Sequence, residues 1–183
     1  IGAIGGDRIS GLLRLLAVLA LAAASVAAAM QFGRGEAISA FASTPLAPDG
    51  LYRATLFGMF AKTVTYALAA FALAMSGGFL KSAQMERYEY PLLIVFASFG
   101  AGMMLSANDL MTLYVGIETL SLSSYVLAAF RRDSEKSAEA GLKYFVLGAL
   151  ASGLLLYGSS LVYGFTGGTG YSVIAAAPES IGL

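Results

Sequence analysis

Residues 106–130 read SANDLMTLYVGIETLSLSSYVLAAF. After a short polar break at Ala107–Asp109, the stretch stays apolar for about 20 residues, the length of helix that crosses a bilayer core of ~30 Å. Residues 91–106 form another apolar stretch just before the break, so the two must be an antiparallel pair of helices. Asn108 or Asp109 can cap the second helix by accepting hydrogen bonds from its first backbone N–H groups. The stretch therefore predicts a hairpin of two membrane helices.

Three more apolar stretches of helical length lie outward from this hairpin. No segment alternates polar and apolar residues over about ten positions, as a transmembrane β-barrel would require. The helix at residues 91–106 is short, so it either begins before Pro91 or lies in locally thinned bilayer. The sequence predicts an all-α fold, a polytopic transmembrane helix bundle in which residues 1–183 form a single domain cut from a longer chain. Its helices are expected at about 12–30, 54–76, 91–106, 110–130 and 141–164.

The composition agrees with a membrane protein and excludes several functions. Hydrophobic residues make up 58% of the chain and charged residues 12%, and the mean hydropathy is +0.76. Eleven basic and eleven acidic residues balance, which argues against a nucleic-acid partner, because phosphate binding needs a basic excess. The sequence has no Cys and no His. Thiolate or imidazole ligands for metals, and a Ser/His/Asp triad, are therefore excluded from this chain.

The basic residues predict an orientation. Cytoplasmic loops of membrane proteins carry an excess of Lys and Arg. The predicted loops on the side of the N-terminus hold most of the basic loop residues, which places the N-terminal end in the cytoplasm and the C-terminal end in the periplasm. The two groups are Arg8, Arg14, Lys81, Arg87, Arg131, Arg132 and Lys136 on the first side, and Arg34 and Arg53 on the other.

Glu118 is the residue most suggestive of function, because it lies near the middle of the helix at residues 110–130. An ionised carboxylate at that depth costs several kcal/mol unless it is paired or hydrated. Tyr114 precedes Glu118, and Ser121 and Tyr125 follow it, so that the four residues form one stripe at helical spacings of four, three and four. These hydroxyls can bond the carboxyl or hold a chain of water. Glu118 is either a proton-binding site or a static clamp between two helices, and the first interpretation is favoured.

Two lysines lie within predicted helices. Lys143 is near the cytoplasmic end of the last helix, where it either relays protons or extends to the lipid headgroups. It is too far along the bundle from Glu118 for a direct salt bridge. Lys62, with Thr63, Thr65 and Tyr66 as neighbours, either lines a hydrated path or extends outward from a tilted helix. The second alternative is favoured slightly for Lys62.

The segment SANDLMTLYVGIETLSLSS at Ser106–Ser124 resembles the antiporter-like membrane subunits of respiratory complex I. The residues that follow, YVLAAFRRDSEKSAEAGLKYF and the helix they open, narrow the resemblance to the subunit N type, which includes mitochondrial NADH dehydrogenase subunit 2. In that family Glu118 matches a carboxylate on the fifth helix, and Lys143 matches a lysine on the sixth. The resemblance implies that the acid acts as an electrostatic gate with a lysine on the next helix, beyond Leu183.

The resemblance also implies a function. The chain is expected to be part of a membrane-arm subunit of NADH:quinone oxidoreductase, a translocase of the bacterial inner membrane. NADH, FMN, iron–sulfur clusters and quinone would be used by other subunits, and this chain would hold no cofactor. Its partners would be lipid and other membrane-arm subunits, including antiporter-like ones. The alternatives are a subunit of a multi-subunit cation/proton antiporter and a structural subunit that does not pump.

Overall fold

The computed structural model describes residues 10–34, 38–40 and 49–181, without side-chain detail at 34, 38–40 and 178–181. Arg8, counted in the charge bias above, lies outside these residues. Six helices and two short strands follow one another along the described chain. They are α1 (Ser10–Arg34), β1 (Ile38–Ala40), β2 (Tyr52–Ala54), α2 (Leu56–Ser82), α3 (Glu89–Met104), α4 (Leu110–Ala128), α5 (Glu135–Thr166) and α6 (Tyr171–Ile181).

The helix ends differ from the predicted ones, and capping residues explain two of the differences. The second helix does not begin at Ala54, because Ala54 closes β2 and the Thr55 side chain caps α2 by accepting from Gly58 N–H. The fifth begins at Glu135, well before residue 141, because the Ser134 side chain caps it by accepting from Ser137 N–H. The charged turn before it is correspondingly shorter than the sequence suggested.

Among the residues that the structure describes, four helices are long and apolar enough to cross a membrane, namely α1, α2, α4 and α5. The third, α3, is a shorter apolar helix of 16 residues that begins at Glu89, ahead of Pro91. Pro91 falls in its first turn, where the missing backbone N–H has no intrahelical partner to lose. The prediction of a helical membrane bundle is confirmed.

Close contacts between neighbouring helices hold the bundle together. The helices α1 and α2 pack through a buried apolar cluster of Ala17, Leu21, Ala70 and Leu73. The hairpin α3–α4 is packed backbone to backbone, because a Cβ on Gly100 would lie 2.6 Å from Leu120 N and 2.8 Å from Gly116 O. Small residues at such crossings let membrane helices approach closely. The outermost helix, α5, contacts α4 along one face and exposes most of its other side chains.

The two ends of the bundle differ. One end, here called the arginine end, is held by ion pairs of Arg14 with Glu86 (3.5 Å) and Arg132 with Glu89 (2.9 Å). The other, here called the strand end, is a hub of backbone hydrogen bonds around the α3–α4 turn. Arg53 N–H donates to Ser106 O, Asn108 N–H to Leu51 O, Leu110 N–H to Thr169 O and Tyr171 N–H to Asn108 O. The antiparallel pairing of β1 with β2, from Ile38 opposite Ala54 to Ala40 opposite Tyr52, adjoins this hub.

Candidate functional site

Helix α4 presents two opposite faces to its neighbours. Gly116 and Leu120 contact α3 at Gly100. At about 100° per residue, Glu118 points roughly opposite to that face. The stripe of Tyr114, Glu118, Ser121 and Tyr125 is thus turned away from α3. It is turned toward α5, as the contacts of its two tyrosines show.

The two tyrosines of the stripe contact α5 on either side of Glu118. The Tyr114 hydroxyl lies 3.2 Å from Ser152 Oγ in a hydrogen bond that either group can donate. Tyr125 is buried, and its ring meets Tyr144 edge-on with ring centres 4.7 Å apart. A Cβ on Gly148 would overlap the Tyr125 hydroxyl. Gly148 and Ser152 are one turn apart, so the small face of α5 receives both tyrosines.

Glu118 lies between these tyrosines, level with Ser152. The register follows from Gly141, where a Cβ would lie 2.5 Å from Ala129 Cβ. Glu118 on α4 and Ser152 on α5 are the same number of residues away from that contact. Because the two helices are antiparallel, the two residues lie at the same height along the bundle. The middle of the stripe therefore faces the Gly148–Ser152 segment of α5.

One oxygen of the Glu118 carboxyl group is buried without a hydrogen bond. Its Oε1 makes none with the described residues, although the residue as a whole is half-buried. Burying a polar atom without a hydrogen bond costs free energy, so the approach of a hydrogen-bond donor would stabilise this oxygen. Ser121, also half-buried, is on the same stripe one turn further along.

Lys143 is not brought to Glu118. Its ammonium group pairs with Glu139 one turn earlier on α5, and both side chains are largely exposed, at 69% and 63%. Lys143 lies close to the Gly141–Ala129 contact, roughly 13 Å along the bundle from Glu118 at 1.5 Å per residue. Transfer between them would need intervening water or side chains, as expected from the sequence.

Lys62 is buried, with 8% of its surface exposed, so the expectation that it extends outward is wrong. Its Nζ donates to the Tyr52 hydroxyl at 2.7 Å and lies 4.5 Å from the centre of the same ring. The side chain runs back toward the start of α2, the direction in which helical side chains tilt. Its partner is thus a residue of β2 instead of water.

The Lys62–Tyr52 pair perturbs the tyrosine. Burial raises the pKa of Tyr52. Three effects lower this pKa and together outweigh burial, namely the hydrogen bond with Lys62, the interaction with Ser106 and the positive charge of Lys62. The result is a pKa below the usual 10.0. Tyr66, one turn after Lys62, fits its hydroxyl against Gly102 of α3. This polar cluster therefore lies toward α3, on the other side of α4 from Glu118.

Sequence reasoning missed the partners of the site. Ser152 and Gly148 were not identified as contacts of the stripe, and Tyr52 was not singled out. Gly148 and Ser152 lie one turn apart on α5, and Tyr114 and Tyr125 lie on one face of α4. Comparing these two patterns could have indicated that the two faces contact each other. Nothing in the sequence could have indicated Tyr52, because its approach to Lys62 depends on the strand hub. Among the described residues, no group of acidic side chains is placed to hold a metal ion.

Comparison with known proteins agrees with the resemblance found at Ser106–Ser124. Residues 107–180 match the family described as NADH:quinone oxidoreductase/Mrp antiporter, transmembrane. Over all 183 residues the chain is 58% identical to the NADH-quinone oxidoreductase subunit N of Hirschia baltica, of which it spans 37%. The chain thus spans little more than a third of that relative's length.

Solved structures give the same fold. Respiratory complex I from Thermus thermophilus with bound aureothin contains a chain that superposes on 92% of this one, with a TM-score of 0.73 and 27% identity. The match covers 34% of that chain. The Mrp complex from Dietzia superposes on 93% of this chain and 34% of its own, with a TM-score of 0.73 and 23% identity. The resemblance to subunit N is confirmed, and the chain is part of a multi-pass protein of the bacterial inner membrane.

Proposed function

We propose, from its similarity to subunit N, that this chain is part of a membrane-arm subunit of NADH:quinone oxidoreductase that translocates protons. The observation that carries the proposal is Glu118, a carboxyl group inside a membrane helix with one buried oxygen that makes no hydrogen bond with the described residues. Intramembrane acids of this kind mark proton relays more often than structural contacts. The identity of 58% to a subunit N supports the choice of complex.

Glu118 would act by taking up and releasing one proton. A carboxyl group in low dielectric holds its proton until a cation or a hydrogen-bond donor stabilises the charged form. Electrostatic changes driven by quinone reduction in other subunits would supply that stabilisation, and the released proton would move to the next group. Tyr114, Ser121, Tyr125 and Ser152 supply hydroxyl groups along this part of the α4–α5 contact.

The lysines would have separate parts. Lys143, which forms an ion pair with Glu139 near the arginine end, would exchange protons between that end and the Glu118 region through intervening water. Lys62 lies on the opposite side of α4 and would belong to a different branch of the path, ending at Tyr52. The arginine end would face the cytoplasm, as the charge bias predicts.

The proposal also covers partners and cofactors. Other membrane-arm subunits, including antiporter-like ones, would flank this protein in the bilayer. The redox reaction from NADH to quinone, with FMN and iron–sulfur clusters, would take place in other subunits. This chain would hold no redox centre, since it offers neither Cys nor His.

A second candidate is a subunit of a cation/proton antiporter. The superposition on the Mrp complex is as good as that on complex I, at a TM-score of 0.73. The two functions share the carboxyl group but differ in the energy source. Proton movement driven by NADH oxidation supports the first, and movement driven by a sodium gradient without NADH supports the second.

The test is proton pumping in membrane vesicles that carry the full-length protein with Glu118→Gln. Pumping is normalised to NADH oxidation and to the amount of assembled complex. A large loss with normal assembly is expected, because the amide cannot take up a proton, and Glu118→Asp should retain part of the activity. Glu135→Gln, at an exposed acid in the first turn of α5, is the matched control. Unchanged pumping per NADH would leave Glu118 a structural residue and the protein a scaffold.

A further inference from the structure

Two recesses adjoin at the arginine end. The first is an apolar groove of about 580 Å³ between α3, α4 and α5, walled by side chains such as Leu93, Val126 and Phe145. The groove is open along the side of the bundle. Helices that would lie in a bilayer form its walls, so a lipid chain would have access to its open side.

The second recess is polar and lies where the loops meet. It measures about 280 Å³ and is lined by three guanidinium groups and one carboxylate, from Arg87, Arg131, Arg132 and Asp133. Phe130 and Arg132 line both recesses, so the recesses adjoin. A positively charged pocket thus lies directly beside an apolar groove.

The charges of the polar recess are only partly compensated. Arg132 pairs with Glu89 at 2.9 Å. Neither Arg87 nor Arg131 forms an ion pair with any acidic side chain in the described part of the chain. Two guanidinium groups are left for a ligand, and guanidinium groups bind phosphate oxygens in bidentate fashion.

One oxygen of a carboxylate at the junction also lacks a hydrogen bond. The Oε2 atom of Glu89 is buried and makes no hydrogen bond with the described residues, while Oε1 accepts from Arg132. This oxygen can accept a hydrogen bond from a hydroxyl group. The site therefore offers cations for a phosphate, an acceptor for a hydroxyl and an apolar groove for a chain.

We propose that these recesses form a binding site for one anionic phospholipid with a hydroxylated headgroup. The phosphate lies between Arg87 and Arg131, a headgroup hydroxyl donates to Glu89, and one acyl chain lies in the groove. Juxtamembrane arginines attract anionic lipid in the same way. This inference is independent of proton translocation, since a structural subunit could bind the same lipid.

A packed helix is a less suitable occupant of the groove. A helix from another part of the protein would fill the apolar space but would leave the arginine recess without counter-charge. The three-to-one balance of guanidinium groups over carboxylate in that recess favours an anion attached to an apolar chain.

The test is lipid retention. The full-length protein is taken from vesicles with equal amounts of phosphatidylglycerol, phosphatidylethanolamine and phosphatidylcholine, and the lipids that remain bound are counted by native mass spectrometry. The protein is expected to retain one phosphatidylglycerol in preference to the other two. The double variant Arg87→Gln/Arg131→Gln should lower that retention at least about fivefold, because each such arginine contributes about fivefold to anionic lipid binding.

Two further variants separate the outcomes. Ala138→Phe, at an exposed position that lines the groove, should abolish retention of all three lipids. Arg53→Gln, an exposed arginine at the strand end, is the matched control and should change nothing. Equal retention of the three lipids, or unchanged phosphatidylglycerol in the double variant, would overturn the proposal. Absence of bound lipid in the unmodified protein would also overturn it and would indicate that protein fills the groove.

Discussion

At the scale of single residues, the structure separates two polar centres that the sequence could not tell apart. Glu118 and Lys62 both lie within apolar helices, and the sequence made each a candidate for a proton path, with outward extension slightly favoured for Lys62. Glu118 faces α5, between tyrosines that touch Gly148 and Ser152. Lys62 is bonded to Tyr52 on the other side of α4. The two centres can therefore be perturbed independently.

Tyr52 gives the first prediction. Its lowered pKa means that it ionises below pH 10, before an unperturbed tyrosine does. Since the folded-state pKa is the lower one, the resulting stabilisation is present above the unfolded value and is lost as the pH falls through the folded value. Tyrosinate absorbance, compared between the unmodified protein and Tyr52→Phe, should show one group titrating early. Lys62→Met should move that titration to higher pH.

Tyr171 is the matched control for this titration. Burial, and then the nearby charge of Asp109, raise the pKa of Tyr171. Its stabilising contribution is present below the unfolded value and disappears as the pH rises through the folded one. Tyr171→Phe should therefore remove a late component of the absorbance change. An early component that survives Tyr52→Phe would contradict the assignment.

The candidate site was predictable in part. The stripe on α4 was readable from the sequence, because a helix repeats every 3.6 residues and an acid in an apolar segment is conspicuous. The partner of each polar group was not readable. Ser152 is separated from Tyr114, and Tyr52 from Lys62, by turns whose geometry sets the contact. For Lys62 the sequence favoured the wrong alternative, since a half-buried tyrosine acceptor on a short strand cannot be foreseen from hydropathy.

At the scale of the helices and strands, the long helices followed from hydropathy, but their ends and the small sheet did not. Residues 38–40 and 52–54 form strands of three residues, too short for alternation to be recognised. The start of α5 was placed too late, because Glu135, Lys136 and Glu139 made its first turns look like a loop. Polar helix turns at a membrane surface carry no apolar signal.

The close α3–α4 contact gives a prediction about stability. Gly100→Ala would place a Cβ 2.6 Å from Leu120 N, and backbone cannot yield as a flexible side chain can. The two helices must separate, which should lower the free energy of unfolding by about 1–3 kcal/mol. Gly153→Ala on α5 is the control, since no atom lies within 4 Å of its added Cβ. Denaturant unfolding of both variants in the same detergent measures the difference.

Equal stability of Gly100→Ala and Gly153→Ala would mean that α3 and α4 are not in contact at this glycine. Gly153→Ala itself should be neutral or slightly stabilising, because alanine favours a helix by about 1 kcal/mol relative to glycine.

The end of α2 carries an unusual residue. Gln84 has a φ of 53°, a left-handed conformation that glycine adopts without strain. Its N–H donates to Lys81 O and that of Met85 to Leu80 O, the paired hydrogen bonds that close a helix in a Schellman motif. Gln84→Gly should stabilise the protein by about 0.5–1 kcal/mol, through relief of left-handed strain. Gln84→Ala, which keeps a Cβ, should not. Thermal unfolding of the two variants side by side checks this, and equal midpoints would contradict it.

At the scale of the whole molecule, the strand end ties together segments that are far apart in sequence. The α3–α4 turn bonds to residues 50–53 on one side and 169–171 on the other. The sequence predicted a tight turn there, and Asp109 as a cap is confirmed by its bonds from Met111 and Thr112 N–H. It could not predict that this turn would be bonded to two other connections, the one between α1 and α2 and the one between α5 and α6. These bonds depend on which helix ends lie next to each other, and the hydropathy of a helix does not show which ends are neighbours.

Asp109 gives the last prediction, because its side chain is central to this hub. It is 1% exposed, accepts from two backbone N–H groups of α4, and lies 3.5 Å from the Thr169 hydroxyl, which donates to it. Asp109→Ala removes all of these bonds and leaves buried donors unpaired. A helix cap alone contributes about 1 kcal/mol, and the unpaired donors add to it, so a loss of about 2–3 kcal/mol is expected.

Ser134→Ala is the matched control for Asp109→Ala, since Ser134 caps α5 through a single, longer bond of 3.4 Å to Ser137 N–H. Its loss should cost about 0.5–1 kcal/mol. Asp109→Asn keeps an oxygen that can cap α4 and should fall between the two. Hydrogen exchange adds a spatial readout, because the amides of Arg53, Asn108, Leu110 and Tyr171, which donate the backbone bonds of the hub, should lose protection together in Asp109→Ala if the hub opens as a unit. Exchange confined to the first turn of α4 would show that Asp109 acts only as a cap and that the three connections are held by their backbone bonds.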